Sequence, residues 1–183
     1  VSLSQAIALT LGFVAEKTGG VRLQSVSVAL FRTIGARFSL FDRVASGAVN
    51  AADASTGSAA DLACFRHEEL VIAVEVKDRA LRLRHVQDKL PAIREQGIRE
   101  LLFVTTVGDE ADAAASMAEL REREFNAGQN IYVTDFKQFL QSCLILFGEP
   151  GRRDFLVAVG EALDELKVDL SHRQAWQALL TSM

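Results

Sequence analysis

Apolar residues recur at helical spacing near the start of the chain. Leu3, Ile7, Leu11 and Val14 share one face over residues 3–17, and Gly19-Gly20 closes the run. Residues 24–41 repeat the pattern with Val26, Leu30, Ile34, Phe38 and Phe41. The next stretch, 44–60, is small and polar, which predicts a loop following at most a short strand. The pattern then changes. Asp61–Phe65 and Val71–Lys77 are short, apolar and partly β-branched, and the polar Arg66-His67-Glu68-Glu69 joins them. These features predict a β-hairpin with a turn of about three residues, His67 to Glu69. Helical spacing returns with Leu83, Val86, Leu90 and Ile93, ending near Gly97, while Arg84, His85, Lys89 and Arg94 decorate the rest. Residues 100–106 read as a buried strand, 110–125 as a charged helix closed by Asn126-Ala127-Gly128, and 130–134 as another strand. Asp135 starts a helix to about Phe147, Gly148-Glu149-Pro150-Gly151 breaks it, and helices follow over 153–167 and 171–181.

Helices, a hairpin, then helix–strand–helix–strand–helix predict an α/β fold: a mixed β-sheet flanked by helices, with additional N- and C-terminal helices. A length of 183 residues suits a single domain. Its expected parts are N-terminal helices over 1–43, a core over about 44–147 and a helical part over 148–183. Hydrophobic residues at 49% and charged residues at 24% are ordinary for a soluble globular protein. The two cysteines, Cys64 and Cys143, fall in apolar elements and read as reduced core residues, so a cytoplasmic location is expected. No apolar run is long enough to span a bilayer. The opening Val-Ser-Leu-Ser-Gln is neither an initiator methionine nor a basic signal region, which suggests a piece of a longer chain.

The net charge of −4 argues against a generic polyanion binder, but its distribution changes the picture. Residues 61–76 carry −3, residues 77–99 carry +4, and the remainder after residue 99 carries −7. The concentrated positive stretch thus begins at Lys77, beside an acidic pair. Side chains alternate along a strand, so Glu75 and Lys77 point one way while Ile72, Val74 and Val76 point the other. In the expected hairpin register Asp61 faces Glu75. Opposed like charges destabilise a sheet unless something positive lies between them. Asp61, Glu75 and Lys77 therefore read as a site that holds a cation. Two carboxylates, waters and a substrate phosphate make the environment Mg²⁺ prefers, and a lysine there offsets phosphate charge and holds an attacking water. A surface hairpin with a salt bridge is the plainer alternative.

A strand–hairpin–strand bearing Asp61, thirteen residues, then Glu75-Val76-Lys77 is similar to the signature of the PD-(D/E)xK phosphodiesterases. The longer runs Asn50-Ala-Ala-Asp53-Ala-Ser-Thr-Gly-Ser-Ala-Ala-Asp61-Leu and Leu70-Val-Ile-Ala-Val-Glu75-Val-Lys77-Asp-Arg79 resemble, more narrowly, the SacI-type type II restriction endonucleases. Ala60 stands where the broader signature has proline. The resemblance implies a restriction-endonuclease-like fold and a Mg²⁺-dependent, site-specific double-stranded DNA endonuclease, with Mn²⁺ able to substitute. It implies Asp61 and Glu75 as metal ligands, Lys77 as the catalytic lysine and a homodimer acting on duplex DNA. Asn50, Asp53, Ser55, Thr56, Ser58, Arg79, Arg82, Arg84 and His85 are the candidate DNA contacts, with Lys89 beside them. A hydrogen-bonded loop and a solvated helix face account for the same residues. Gln87 and Glu16 are further candidates to complete a metal shell. Two other functions fit the sequence: a DNA repair or junction-resolving nuclease of the same fold, and a non-catalytic DNA-binding module.

Overall fold

The computed structural model describes residues 1–46, 60–107 and 114–182. Two helices lead, α1 (Leu3–Val14) and α2 (Val21–Phe38), followed by strands β1 (Arg43–Ser46), β2 (Leu62–Arg66) and β3 (Glu69–Lys77). Then come α3 (Leu83–Glu95), β4 (Glu100–Thr105), α4 (Ala114–Asn126), β5 (Asn130–Asp135), α5 (Phe136–Glu165) and α6 (Leu170–Thr181). The strands form one sheet in the order β1-β2-β3-β4-β5. β2 and β3 are antiparallel, whereas β3, β4 and β5 run parallel, each pair linked through a helix. The expected α/β class and mixed sheet are therefore what the chain adopts.

The chain groups into two compact units, one comprising residues 1–44 with 137–183 and the other residues 45–136. The first unit is helical. Its core includes Phe13 against Trp176, edge to face at 5.0 Å, and Trp176 is 2% exposed. Trp176 is thus a core residue of this unit. Arg22, also buried, donates to the Phe13 carbonyl at 3.1 Å, reaches Glu16 at 2.6 Å and lies over the Phe13 ring. The expected break in α5 is present: Gly148 has φ 65° and ψ −176°, outside the helical region. Arg37 donates to the Phe147 carbonyl there, satisfying a group the break would orphan.

The second unit carries the hairpin. Leu81, Val86, Leu90 and Ile93 pack with Ala73, Leu101, Phe103, Met117, Leu120 and Ile131, so α3 and α4 cover one face of the sheet. Ala73 is two residues before Glu75, and Phe103 pairs with Glu75 across β3–β4. Strand alternation therefore sets Glu75 on the face that α3 covers. Leu62, Cys64, Val74, Leu102 and Val104, on the opposite face, are buried as well. Burial pushes the Cys64 and Cys143 thiols up to about 12, as expected of unreactive core cysteines.

The hairpin differs from expectation in one respect. Its turn has two residues, His67 and Glu68, because Arg66 already pairs with Glu69. That turn alone would shift the register by one. A bulge restores it: Phe65 pairs with Leu70 but Cys64 pairs with Ile72, leaving Val71 as the extra residue. From Cys64 onward the pairing is the one the three-residue turn would have given.

His67 and Glu68 both sit at positive φ, 48° and 66°. This is the pattern of a type I′ turn, which favours Asn-Gly. Replacing His67→Asn and Glu68→Gly together should raise stability by about 1 kcal/mol in urea unfolding. A lower midpoint in the double variant would contradict this account of the turn.

Candidate active site

Asp61 lies one residue before β2, and Leu62 pairs with Val74. Extending that register by one step brings Asp61 opposite Glu75, on the same face. Asp61 Oδ2 accepts the Val76 backbone N–H at 2.8 Å, which anchors the carboxylate to the neighbouring strand. Glu75 is fully buried, and each of its oxygens has an ammonium partner: Lys77 Nζ lies 2.6 Å from Oε2, and Lys89 Nζ lies 2.6 Å from Oε1. Lys77 Nζ is also 3.5 Å from Asp61 Oδ2, so it bridges the two acids. The positive charge expected between opposed carboxylates is present in the chain itself, as the Lys77 ammonium.

Burial alone would lower the Lys77 pKa. The hydrogen bond and field of Glu75, followed by the field and hydrogen bond of Asp61, outweigh it and hold the pKa above its ordinary value. Lys77 is thus a cationic donor in this geometry, suited to neutralising charge and not to accepting a proton. It sits at the C-terminal end of β3 beside Thr105, whose backbone neighbour Thr106 donates to the Lys77 carbonyl at 3.0 Å. Asp61 and Lys77 retain side-chain exposures of 32% and 21%. Asp61 and Lys77 are therefore reachable from outside although Glu75 is not.

The basic residues after Lys77 gather at the start of α3. Arg79, Arg82 and Arg84 are exposed, and His85 is half-buried. His85 Nδ1 accepts the Arg82 backbone N–H at 3.1 Å, satisfying a donor at the helix start. Burial, then the fields of Arg79, Arg84, Arg82 and Lys77, pull the His85 pKa below its ordinary value. All four cations thus act on the His85 ring. Gln87 is exposed on α3. Glu16 belongs to the other unit, where it pairs with Arg22. Asn50, Asp53, Ser55, Thr56 and Ser58 lie outside the described residues.

Lys89 is the residue whose place in the site sequence reading missed. The sequence places it off the apolar stripe with Arg84, His85 and Arg94, and beside the candidate DNA contacts. Yet it falls three residues after Val86 and four before Ile93, both core residues, so it flanks the packed stripe. That spacing was the available signal. Arg94 is likewise engaged, pairing with the fully buried Glu124 and with Gln129.

Among the described residues, no group of three or more His, Cys, Asp and Glu is placed to hold a metal ion. Asp61 and Glu75 carry hard carboxylate oxygen donors, and both oxygens of Glu75 are held by lysine ammoniums. The family model of the SacI restriction endonuclease C-terminal domain matches residues 1–109. The chain belongs to this restriction endonuclease family. The match runs from α1 through β4 and so includes the hairpin, α3 and all three site residues, well beyond residues 50–80 where the resemblance is most distinctive. Comparison with individual curated proteins finds no match. Among the described residues of this SacI-family chain, no helix is long and apolar enough to cross a membrane.

The raised Lys77 pKa gives a stability prediction with a definite sign. A lysine whose folded pKa lies above its unfolded value contributes stability that is fully present below the ordinary value of 10.5 and is lost as pH rises through the folded value. The difference in unfolding free energy between wild type and Lys77→Met should stay constant from about pH 6 to 9 and shrink only above the ordinary lysine range. Urea titrations across that span test this, and a difference that changes near neutral pH would contradict it.

Proposed function

We propose that Asp61, Glu75 and Lys77 form the hydrolytic centre of a Mg²⁺-dependent, site-specific double-stranded DNA endonuclease: a type II restriction enzyme of the PD-(D/E)xK kind. The observation that carries this reading is the bridging of both acids by one ammonium on a single sheet face, 2.6 Å from Glu75 and 3.5 Å from Asp61. The donor set fits the ion. Mg²⁺ takes one or two carboxylates and completes its shell with water and substrate phosphate, so a larger protein cage is not required. Lys77 already marks a place where a cation is stabilised by both carboxylates.

Asp61 and Glu75 would hold Mg²⁺, with Mn²⁺ able to substitute. Bound there, the ion supplies Lewis acidity to the scissile phosphate and to the attacking water. Lys77, kept cationic by its neighbours, orients that water and balances the charge that grows on the phosphate oxygens. The Val76 N–H fixes Asp61, so this carboxylate keeps one orientation as substrate arrives. Arg79, Arg82, Arg84 and His85 follow Lys77 along the chain and would contact the DNA backbone, which positions the duplex without reading its sequence. Asn50, Asp53, Ser55, Thr56 and Ser58 would supply groove contacts. Cutting both strands of a palindrome needs two centres related by a two-fold axis, so the working form is a homodimer, and the cytoplasm is its compartment.

The test is cleavage of supercoiled plasmid with Mg²⁺ by wild type, Asp61→Asn, Glu75→Gln and Lys77→Met. Each substitution should lower the rate by about a thousandfold or more, the scale of a lost charge-stabilising group. Cutting that survives all three would remove the assignment. Preference for branched over linear duplex would indicate a repair or junction-resolving nuclease, and retention of DNA without cutting would indicate a binding module.

A further inference from the structure

Lys89 makes a contact that the three-residue signature leaves out. It projects from α3, not from the hairpin, yet its ammonium lies as close to Glu75 as that of Lys77, each at 2.6 Å and on opposite oxygens. The two lysines reach Glu75 from different elements, Lys77 from its own strand and Lys89 from the covering helix. Lys77 bridges Glu75 and Asp61 and so stands where a shared cation must enter. Lys89 approaches from the other side of the carboxylate, on Oε1. Its side chain is 36% exposed, whereas the carboxylate it holds has no exposure at all. A buried carboxylate takes the orientation that its charged partners dictate, because no water is available to replace a lost hydrogen bond. Without Lys89, Oε1 of Glu75 would lose this ammonium, and the carboxylate would be free to rotate toward Lys77.

We propose that Lys89 is a positioning residue of the centre: it pins Oε1 of Glu75 so that Oε2 remains turned toward Asp61 and available to a divalent cation. This inference rests on the reading of Asp61 and Glu75 as the cation-holding pair. α3 is placed for the task because Val86, Leu90 and Ile93 fix it on the sheet face that carries Glu75. Lys89 thereby ties the geometry of the acid pair to the packing of the helix whose first turn bears Arg84 and His85.

The experiment is Mn²⁺ titration by calorimetry of wild type, Lys89→Met, Lys89→Gln and Lys89→Arg, with folding checked by circular dichroism. Plasmid cleavage is followed over a range of Mg²⁺ and DNA concentrations. Mn²⁺ affinity should fall at least tenfold in Lys89→Met and Lys89→Gln, and Lys89→Arg should restore most of it by keeping charge and reach. Cleavage by Lys89→Met should be lowest at scarce Mg²⁺ and should recover as Mg²⁺ saturates, with little change in KM for DNA. If Lys89→Met does not fold, Lys89→Gln, which keeps a donor, carries the comparison. Unchanged or tighter Mn²⁺ binding in folded neutral variants overturns the proposal. So does a rise in KM for DNA that is indifferent to Mg²⁺, since that marks a plain phosphate contact. Wild type that takes up no Mn²⁺ overturns the reading of the acid pair itself, and the role of Lys89 with it.

Discussion

The centre depends on one energetic constraint, a carboxylate with no exposure to water. Transferring an ionised Glu75 from solvent to the sheet–helix interface is strongly unfavourable unless positive groups replace its hydration. Two ammoniums do so, one from its own strand and one from the helix that covers the face. Removing either leaves a charge poorly compensated, whereas an exposed pair of the same kind is worth little. This asymmetry explains why the site is assembled from two elements. Lys77 comes from the same strand and face as Glu75, but Lys89 arrives only if α3 packs through Val86, Leu90 and Ile93. Core packing and site geometry are therefore parts of one arrangement.

Register is the second requirement. A slip of one residue in an antiparallel pair moves every side chain of a strand to the opposite face. The two-residue turn at His67 and Glu68 would by itself pair Asp61 with Val74, and the bulge at Val71 corrects this within the hairpin. Asp61 is then held by the Val76 N–H and within reach of Lys77. The strained turn residues and the irregular pairing sit at the far end of the hairpin from the acids. The pairing nearer them, from Cys64 to Ala63 and Leu62, is regular.

Much of this was legible in the chain. Period-two alternation sets Glu75 and Lys77 on one face whatever the turn, and helical spacing of Leu83, Val86, Leu90 and Ile93 gives α3 its buried stripe. The three-residue turn was a wrong detail with a right consequence, because a turn and a bulge can exchange one residue without changing the pairing beyond them. Positive-φ residues other than glycine and asparagine, as at His67 and Glu68, leave little local signature. Lys89 was missed for a different reason: a lysine flanking an apolar stripe can run its aliphatic stem along the core or out into solvent. Only the presence of a buried carboxylate at the far end decides between them. The pairing of Arg94 with Glu124 is also non-local, joining α3 to α4, so nothing in the spacing of either helix announces it.

The charge composition of the cluster bears on its chemistry. Asp61, Glu75, Lys77 and Lys89 sum to zero, so the four groups can coexist partly buried without an external ion. Opposed acids require a positive charge between them, and the ammonium of Lys77 meets that requirement without a metal. What remains is more specific. A place between two carboxylates that stabilises an ammonium also stabilises a smaller and more highly charged cation, provided the ammonium can move aside and the carboxylates stay put. Lys77 has some exposure and a flexible stem, which meets the first condition. Asp61 is anchored by a backbone amide and Glu75 by a second lysine on a packed helix, which meets the other. The two lysines are therefore not redundant neutralisers, since Lys77 bridges both acids from the hairpin while Lys89 holds Glu75 from the covering helix.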